Sequence, residues 1–218
     1  MQPARRRFFS TGAKYAGNTE EDLELGIKYY GEEVVRMELV NRQHRAQCRS
    51  QLNRMLVLFG LAALYLSFAI KFSEHPVTFG QAQILYPVLL FLTIFMIILH
   101  SSSRLVQSEK VFYSWDLALQ TEIVRTFGRE SYCVQRGNLH DIVINEVIED
   151  LDIKYMLILR TKGNLFRERP IIPLFHSLSP SLECLQHIRS HLHKCWLNGK
   201  TDRSERAYSK EKPSMVAS

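Results

Sequence analysis

Two groups of residues in this chain have the types and spacing of working chemistry. Asp150-Leu151-Asp152 has the D-x-D form in which paired carboxylates hold a divalent cation and, through it, a sugar-nucleotide diphosphate. Such sites sit in nucleotide-binding α/β domains built on parallel strands. This chain lacks the length and the βαβ rhythm for one, so the carboxylates read as an acidic turn between two strands. Cys184, His187, His191 and Cys195 fall within about 80° of one another around a predicted helix and carry metal-ligand atoms. Their axial spread decides against a shared ion, because residues eleven apart at about 1.5 Å each lie roughly 16 Å from end to end. Buried thiols and half-exposed imidazoles are the simpler expectation. No Gly-rich phosphate loop, nucleophile elbow or HExxH motif occurs in the sequence, so neither catalysis nor a cofactor is expected of this chain alone.

A third constellation points to binding. In Asp141-Ile142-Val143-Ile144-Asn145-Glu146 the three central residues are apolar on both faces of a predicted strand, and polar residues bracket them. Either the strand is buried on both sides, or it offers an edge or face to a partner while Asp141, Asn145 and Glu146 fix the register.

The elements that must position these residues begin with a helical hairpin. Met55–Ile70 and Ile84–Leu99 are uncharged and apolar on every face, and the polar stretch Lys71–Gln83 joins them. Sixteen residues of helix rise about 24 Å, close to a thin bilayer's ~27 Å, and polar flanks extend the span. A buried hairpin in a soluble core is the alternative, but 218 residues rarely wrap two such helices completely. Arg36, Arg42, Arg45, Arg49 and Arg54 precede the first span, and Arg104 and Lys110 follow the second. By the positive-inside rule both termini face the cytosol. The net charge of +6 then belongs beside anionic headgroups of the lipid bilayer, and nucleic acid is not the expected partner. Cys48, Cys133, Cys184 and Cys195 form no CxxC pair and are expected reduced; Cys48, beside the membrane, is a candidate for acylation. Arg5-Arg6-Arg7-Phe8-Phe9-Ser10 resembles the start of a mitochondrial presequence, against which Glu20, Glu21 and Asp22 follow soon after.

On either side of the hairpin the organisation differs. Residues 1–54 read as a cytosolic arm: disordered over Met1–Asn18, a weak helix from Thr19, and a candidate interfacial helix over Glu32–Arg54. After the hairpin the period becomes strand-like, in Leu117–Ile123, Leu139–Ile148, Ile153–Arg160 and Pro170–Phe175, with Gly137-Asn138 and Gly163-Asn164 as turns. A last helix, capped by Ser179 with Pro180 at its first position and Gly199 past its end, turns Leu185, Ile188, Leu192 and Trp196 to one face. The predicted fold is an α+β membrane protein: a two-helix transmembrane hairpin (55–99), then a pleckstrin-homology-like antiparallel β domain with a C-terminal capping helix (104–198). Residues 199–218 read as a disordered tail.

Two stretches carry a family resemblance. Asp141–Glu146, reading DIVINE, and the run Pro173-x-Phe175-x-Ser177-x-x-Pro180-x-Leu182-x-Cys184-Leu185 resemble the PIG-H family, one component of the phosphatidylinositol N-acetylglucosaminyltransferase complex. The helical hairpin agrees in kind and position. The resemblance implies a non-catalytic member of the endoplasmic reticulum complex that moves N-acetylglucosamine from UDP-N-acetylglucosamine to phosphatidylinositol, the first step of GPI-anchor synthesis. It implies a catalytic PIG-A-like partner met on the cytosolic side, with PIG-C, PIG-P, PIG-Q and PIG-Y as further members. The motif residues carry over as fold and interface candidates, and no catalytic residue does. A second reading, from another class, is a membrane-tethered pleckstrin-like module that binds lipid headgroups through Arg125, Arg129, Arg136, Lys154, Arg160 and Lys162.

Overall fold

The structure, a computed structural model, describes residues 4–11, 21–72, 81–149 and 152–210. In chain order the elements are strands β1 (Ala4–Phe8), β2 (Leu23–Tyr29) and β3 (Val34–Asn41), then helices α1 (His44–Phe72) and α2 (Gln81–Ser103). Strands β4 (Val106–Ser114), β5 (Ala118–Arg125), β6 (Arg129–Gln135), β7 (Leu139–Glu149) and β8 (Asp152–Thr161) follow. The chain continues through the short helix α3 (Asn164–Glu168) and strand β9 (Ile171–Leu174) to helix α4 (Leu182–Lys210). The protein is α+β, with its strands in two antiparallel sheets: β1 to β6 in sequence order, and β7-β8-β9.

The chain forms two compact units. The first comprises Met1–Arg42, Val106–Val124 and Arg129–Ser218 and holds both sheets and α4. Its core starts in the N-terminal arm. Leu25, Ile27, Val35, Met37 and Leu39 are all buried, alternating with Glu24, Gly26, Lys28, Arg36 and Glu38 as a half-buried hairpin requires. Cross-strand pairs Leu25↔Leu39 and Ile27↔Met37 lock the register, and Gly31 supplies the positive φ of +95° at the connecting turn. β3 pairs along its length with β4, although 64 residues separate Asn41 from Val106, and the Asn41 amide donates to the Val106 carbonyl at 3.3 Å. The predicted helical hairpin is therefore an insertion between two neighbouring strands of one sheet.

This corrects the N-terminal reading. Arg5 to Phe8 belong to a strand paired with β2, and Val34–Asn41 is β3 where the interfacial helix was expected, with helix starting only at His44. The two-residue alternation of buried apolar groups outweighs the helix-favouring acidic residues near position 20. The sheet unit thus draws three strands from ahead of residue 104.

The far end is corrected as well. α4 starts at Leu182 rather than at Pro180, with the Leu185 amide donating to the Ser181 carbonyl at 3.1 Å, and it runs through Gly199 to Lys210. A glycine inside a helix costs only about 1 kcal/mol, too little to stop one by itself. Residues 211–218 of the expected tail lie outside the described residues. The predicted covering face is present: Leu185, Ile188 and Leu192 are buried, joined by Cys184 and Cys195. Trp196 stacks on Tyr113 (6.0 Å between centroids) and meets Trp115 edge-on, while the Arg136 guanidinium lies 3.6 Å from the Trp115 ring centre.

The second unit, Gln43–Leu105 with Arg125–Gly128, contains α1 and α2. Both helices are long and apolar enough to cross a membrane, and none of the residues His44–Phe68 is buried. Leu64 is 69% exposed and Leu56 60%, so the hairpin is not the buried core of a soluble fold. Phe59 packs on Phe95 and Tyr65 on Phe91, with ring centroids 5.6 and 6.4 Å apart, which aligns Met55 with Leu99 across the antiparallel pair.

Candidate docking face

The three-stranded sheet brings the two sequence motifs together. β8 lies between β7, which holds Asp141 to Glu146, and β9, which holds Pro173. Because directly paired residues of an antiparallel sheet share a face, the register sorts the motif residues into two sets. Ile142↔Leu159↔Ile172 and Ile144↔Leu157↔Leu174 are rows on the core side, where Leu157 and Leu159 are fully buried and Ile142 and Ile144 pack against the core. Val143↔Ile158↔Pro173, Asp141↔Arg160↔Ile171 and Asn145↔Met156 are rows on the opposite side, where Ile158 is buried, Val143 and Met156 are half-buried, and Asn145, Arg160, Ile171 and Pro173 are exposed. Strand β7 is thus apolar on both faces because one closes the core and the other is an apolar stripe of its own.

The outer stripe has a fixed polar border. Arg160 donates from Nε and from one terminal nitrogen to the two Asp141 carboxylate oxygens, each at 2.6 Å, a bidentate fork across the strand pair. That fork holds the Asp141 carboxyl below its ordinary pKa, against a smaller opposing effect of burial. β7 pairs on one side with β8, and among the described residues no strand pairs with its other edge. Beside that edge, a cavity of about 110 Å³ is lined by Asp141, Ile142, Val143, Arg189, Leu192 and Trp196 among others.

The rest of the second motif serves the fold. Phe175 and Pro180 are buried and Ser177 is exposed, in a loop where Phe175 and Ser179 adopt positive φ of 54° and 43°. Neighbours hold this left-handed backbone in place. The buried Glu109 carboxylate accepts from the Leu178 amide at 3.0 Å, and the amides of Thr11 and Ser181 bond the carbonyls of Ser179 and Phe9 at 2.8 and 3.0 Å. Leu182 opens α4 half-buried, and Cys184 and Leu185 pack inside. Glu109 is the residue that sequence reasoning missed; its signal is a carboxylate opposite Leu39 on the buried face of β4.

The other candidates separate. Burial pushes the Cys184 thiol up to about 12 and raises Cys195 too, so both are inert packing groups. His187 and His191 are half-buried beside them, their Nε2 atoms 3.3 Å apart, and Tyr29 is hydrogen-bonded to His191 Nδ1. Among the described residues no three His, Cys, Asp or Glu side chains gather as a metal site. Asp150 and Leu151 of the D-x-D triplet lie outside the described residues. Of the cations assigned to headgroup binding, Arg160 is held by Asp141, Arg129 by Glu122 at 2.9 Å, and Arg136 by the two tryptophans. What the outer face offers chemically is an apolar stripe with one fixed ion pair, next to an open strand edge. The chain matches no family model, no curated protein and no solved structure.

Proposed function

We propose that this chain is a non-catalytic member of the endoplasmic reticulum complex that transfers N-acetylglucosamine from UDP-N-acetylglucosamine to phosphatidylinositol, and that α1 and α2 anchor it with both termini in the cytosol. The observation that carries the reading is the meeting of the two PIG-H-like motifs on one small sheet, with Val143 and Pro173 on either side of Ile158. Two antiparallel sheets closed by a C-terminal helix agree with a pleckstrin-homology-like architecture, extended by extra strands and by the helical insertion between β3 and β4. On this reading the outer face of β7-β8-β9 receives the catalytic PIG-A-like chain, and the hairpin tethers the chain to the membrane that holds the lipid substrate; PIG-C-, PIG-P-, PIG-Q- and PIG-Y-like chains complete the assembly.

The register separates folding from docking. Val143→Asp places a carboxylate on the outer row, so the chain accumulates and unfolds normally but no longer co-purifies from detergent with the PIG-A-like chain, and surface GPI-anchored proteins fall. Ile144→Asp places it on the core row, where an unpaired buried charge costs several kcal/mol, so the chain itself is lost. Normal anchor levels after complete depletion of the chain would defeat the proposal.

A further inference from the structure

The turn between β5 and β6 is built into the helical unit rather than left with its strands. Its Thr126 amide donates to the Leu105 carbonyl at 3.0 Å, its hydroxyl meets His44 Nε2 at 3.1 Å, and Cys48 Sγ lies 3.8 Å away. The Arg125 amide bonds the Gly128 carbonyl at 3.1 Å, and Gly128 takes the φ of +99° that the closure needs. Phe127, at the tip, is 64% exposed. A large aromatic fixed at the base of two apolar helices, with its ring in solvent, has the position and chemistry of an interfacial anchor.

The height of that ring follows from the helix register. Met55 and Leu99 mark the same level, and Ser103 lies four residues below Leu99, about 6 Å along the axis. Thr126 is tied to Leu105 just beyond, which puts Phe127 roughly 10 Å below the edge of the apolar spans, at the depth of lipid headgroups. In the same zone Arg45, Arg49 and Arg54 project from the first turns of α1, together with Ser50, Asn53 and Val57. All three guanidinium groups are exposed, and no acidic side chain pairs with them among the described residues. Between Gln43 and Leu105 the sequence contains a single acidic residue, Glu74.

We propose that Phe127 and the arginines Arg45, Arg49 and Arg54 form a membrane-surface site for anionic phospholipid: the ring enters the headgroup layer while the guanidinium groups hold lipid phosphates of the same leaflet. The site rests on the reading that α1 and α2 span the bilayer. Charge complementarity and continuity with the apolar helices select a lipid, because a phosphate held by these arginines has Val57 and the apolar span beside it for its acyl chains.

The test uses the full chain in phosphatidylcholine nanodiscs in which a fixed fraction of lipid is brominated phosphatidylcholine or brominated phosphatidylserine. The F127W variant is expected to show quenching beyond the wild-type background of Trp115 and Trp196, and stronger quenching by the brominated serine lipid. Each guanidinium near an anionic surface contributes roughly a fivefold preference. R45Q/R49Q in the F127W background should therefore abolish most of that preference while leaving quenching by brominated phosphatidylcholine unchanged. F127W quenched no more than wild type overturns the anchor, and equal quenching by the two lipids overturns the anionic site. An alkaline wash separates the two levels: release from the membrane defeats the spanning reading, whereas retention with an unquenched F127W defeats this site alone.

Discussion

Helices α1 and α4 are each 29 residues long, and they meet their surroundings in opposite ways. Along α4 the apolar residues form one stripe, Leu185, Ile188 and Leu192, every one buried against the strands, with Glu183, Gln186 and Arg189 left exposed. Along α1 Leu56, Phe59, Leu61, Leu64 and Leu66 are 60, 58, 53, 69 and 46% exposed, and they point around the helix instead of to one side. Length is thus no guide to environment in this chain, whereas the angular spread of apolar residues is. α4 has a sheet to cover, whereas α1 packs on α2 and leaves much of its apolar surface exposed.

The comparison breaks most readily at Ile188. It is fully buried between α4 and the sheets, so Ile188→Ala removes packed methyl groups and leaves a cavity, a loss of about 2–5 kcal/mol. Urea unfolding of the detergent-solubilised chain, followed by tryptophan fluorescence, reads this directly because Trp115 and Trp196 border the same core. Leu64→Ala, at an exposed position of α1, should shift the same transition by no more than about 0.5 kcal/mol. Equal shifts would mean that the hairpin belongs to the core after all. A cation sharpens the contrast from the other side. Leu64→Arg should cost about 3 kcal/mol of membrane insertion, seen as a lower inserted fraction in a glycosylation-reporter assay, whereas Gln186→Arg on the exposed face of α4 should leave unfolding unchanged.

How far the sequence revealed these elements follows the same contrast. The all-round apolarity of Met55–Ile70 and Ile84–Leu99 and the single stripe of α4 were legible, because each is a property of one segment and of its period. β7, β8 and β9 were legible within two or three residues for the same reason. The N-terminal strands were not, although Leu23, Leu25 and Ile27 alternate as cleanly as any stretch in the chain. Their partner β4 lies beyond the hairpin, and a sheet interrupted by a membrane-length insertion gives no local sign of its continuity. The docking face divides likewise. Asp141 to Glu146 were found as a group, but which of Val143 and Ile144 faces outward depends on the register with β8, a long-range quantity. The fork from Arg160 to Asp141, the support of Leu178 by Glu109, and the fastening of Thr126 at the hairpin base arise only when distant segments meet.

The smallest effect concerns how α4 is held to the N-terminal strands. Tyr29 of β2, His191 and His187 form a chain of hydrogen bonds, and Phe8 of β1 packs against the His187 ring at 5.8 Å. Burial lowers the pKa of both imidazoles. Arg6 lowers His187 further against the opposing pull of Glu183, and His187 and Lys194 lower His191 further. In the neutral pair one proton lies between the two Nε2 atoms; with both rings protonated, donor faces donor there. The sign follows from linkage. With folded-state values below the unfolded value of about 6.5, the unfolded chain binds more protons on acidification, so this contribution is complete above that pH and is lost as pH falls through it toward the folded values. The thermal midpoint should therefore fall between about pH 7.5 and pH 5.5, and H191Q, which removes one titrating ring, should flatten that slope. A midpoint that holds or rises on acidification, or a slope unchanged in H191Q, would show that the packed stripe of α4 alone secures it to β1 and β2.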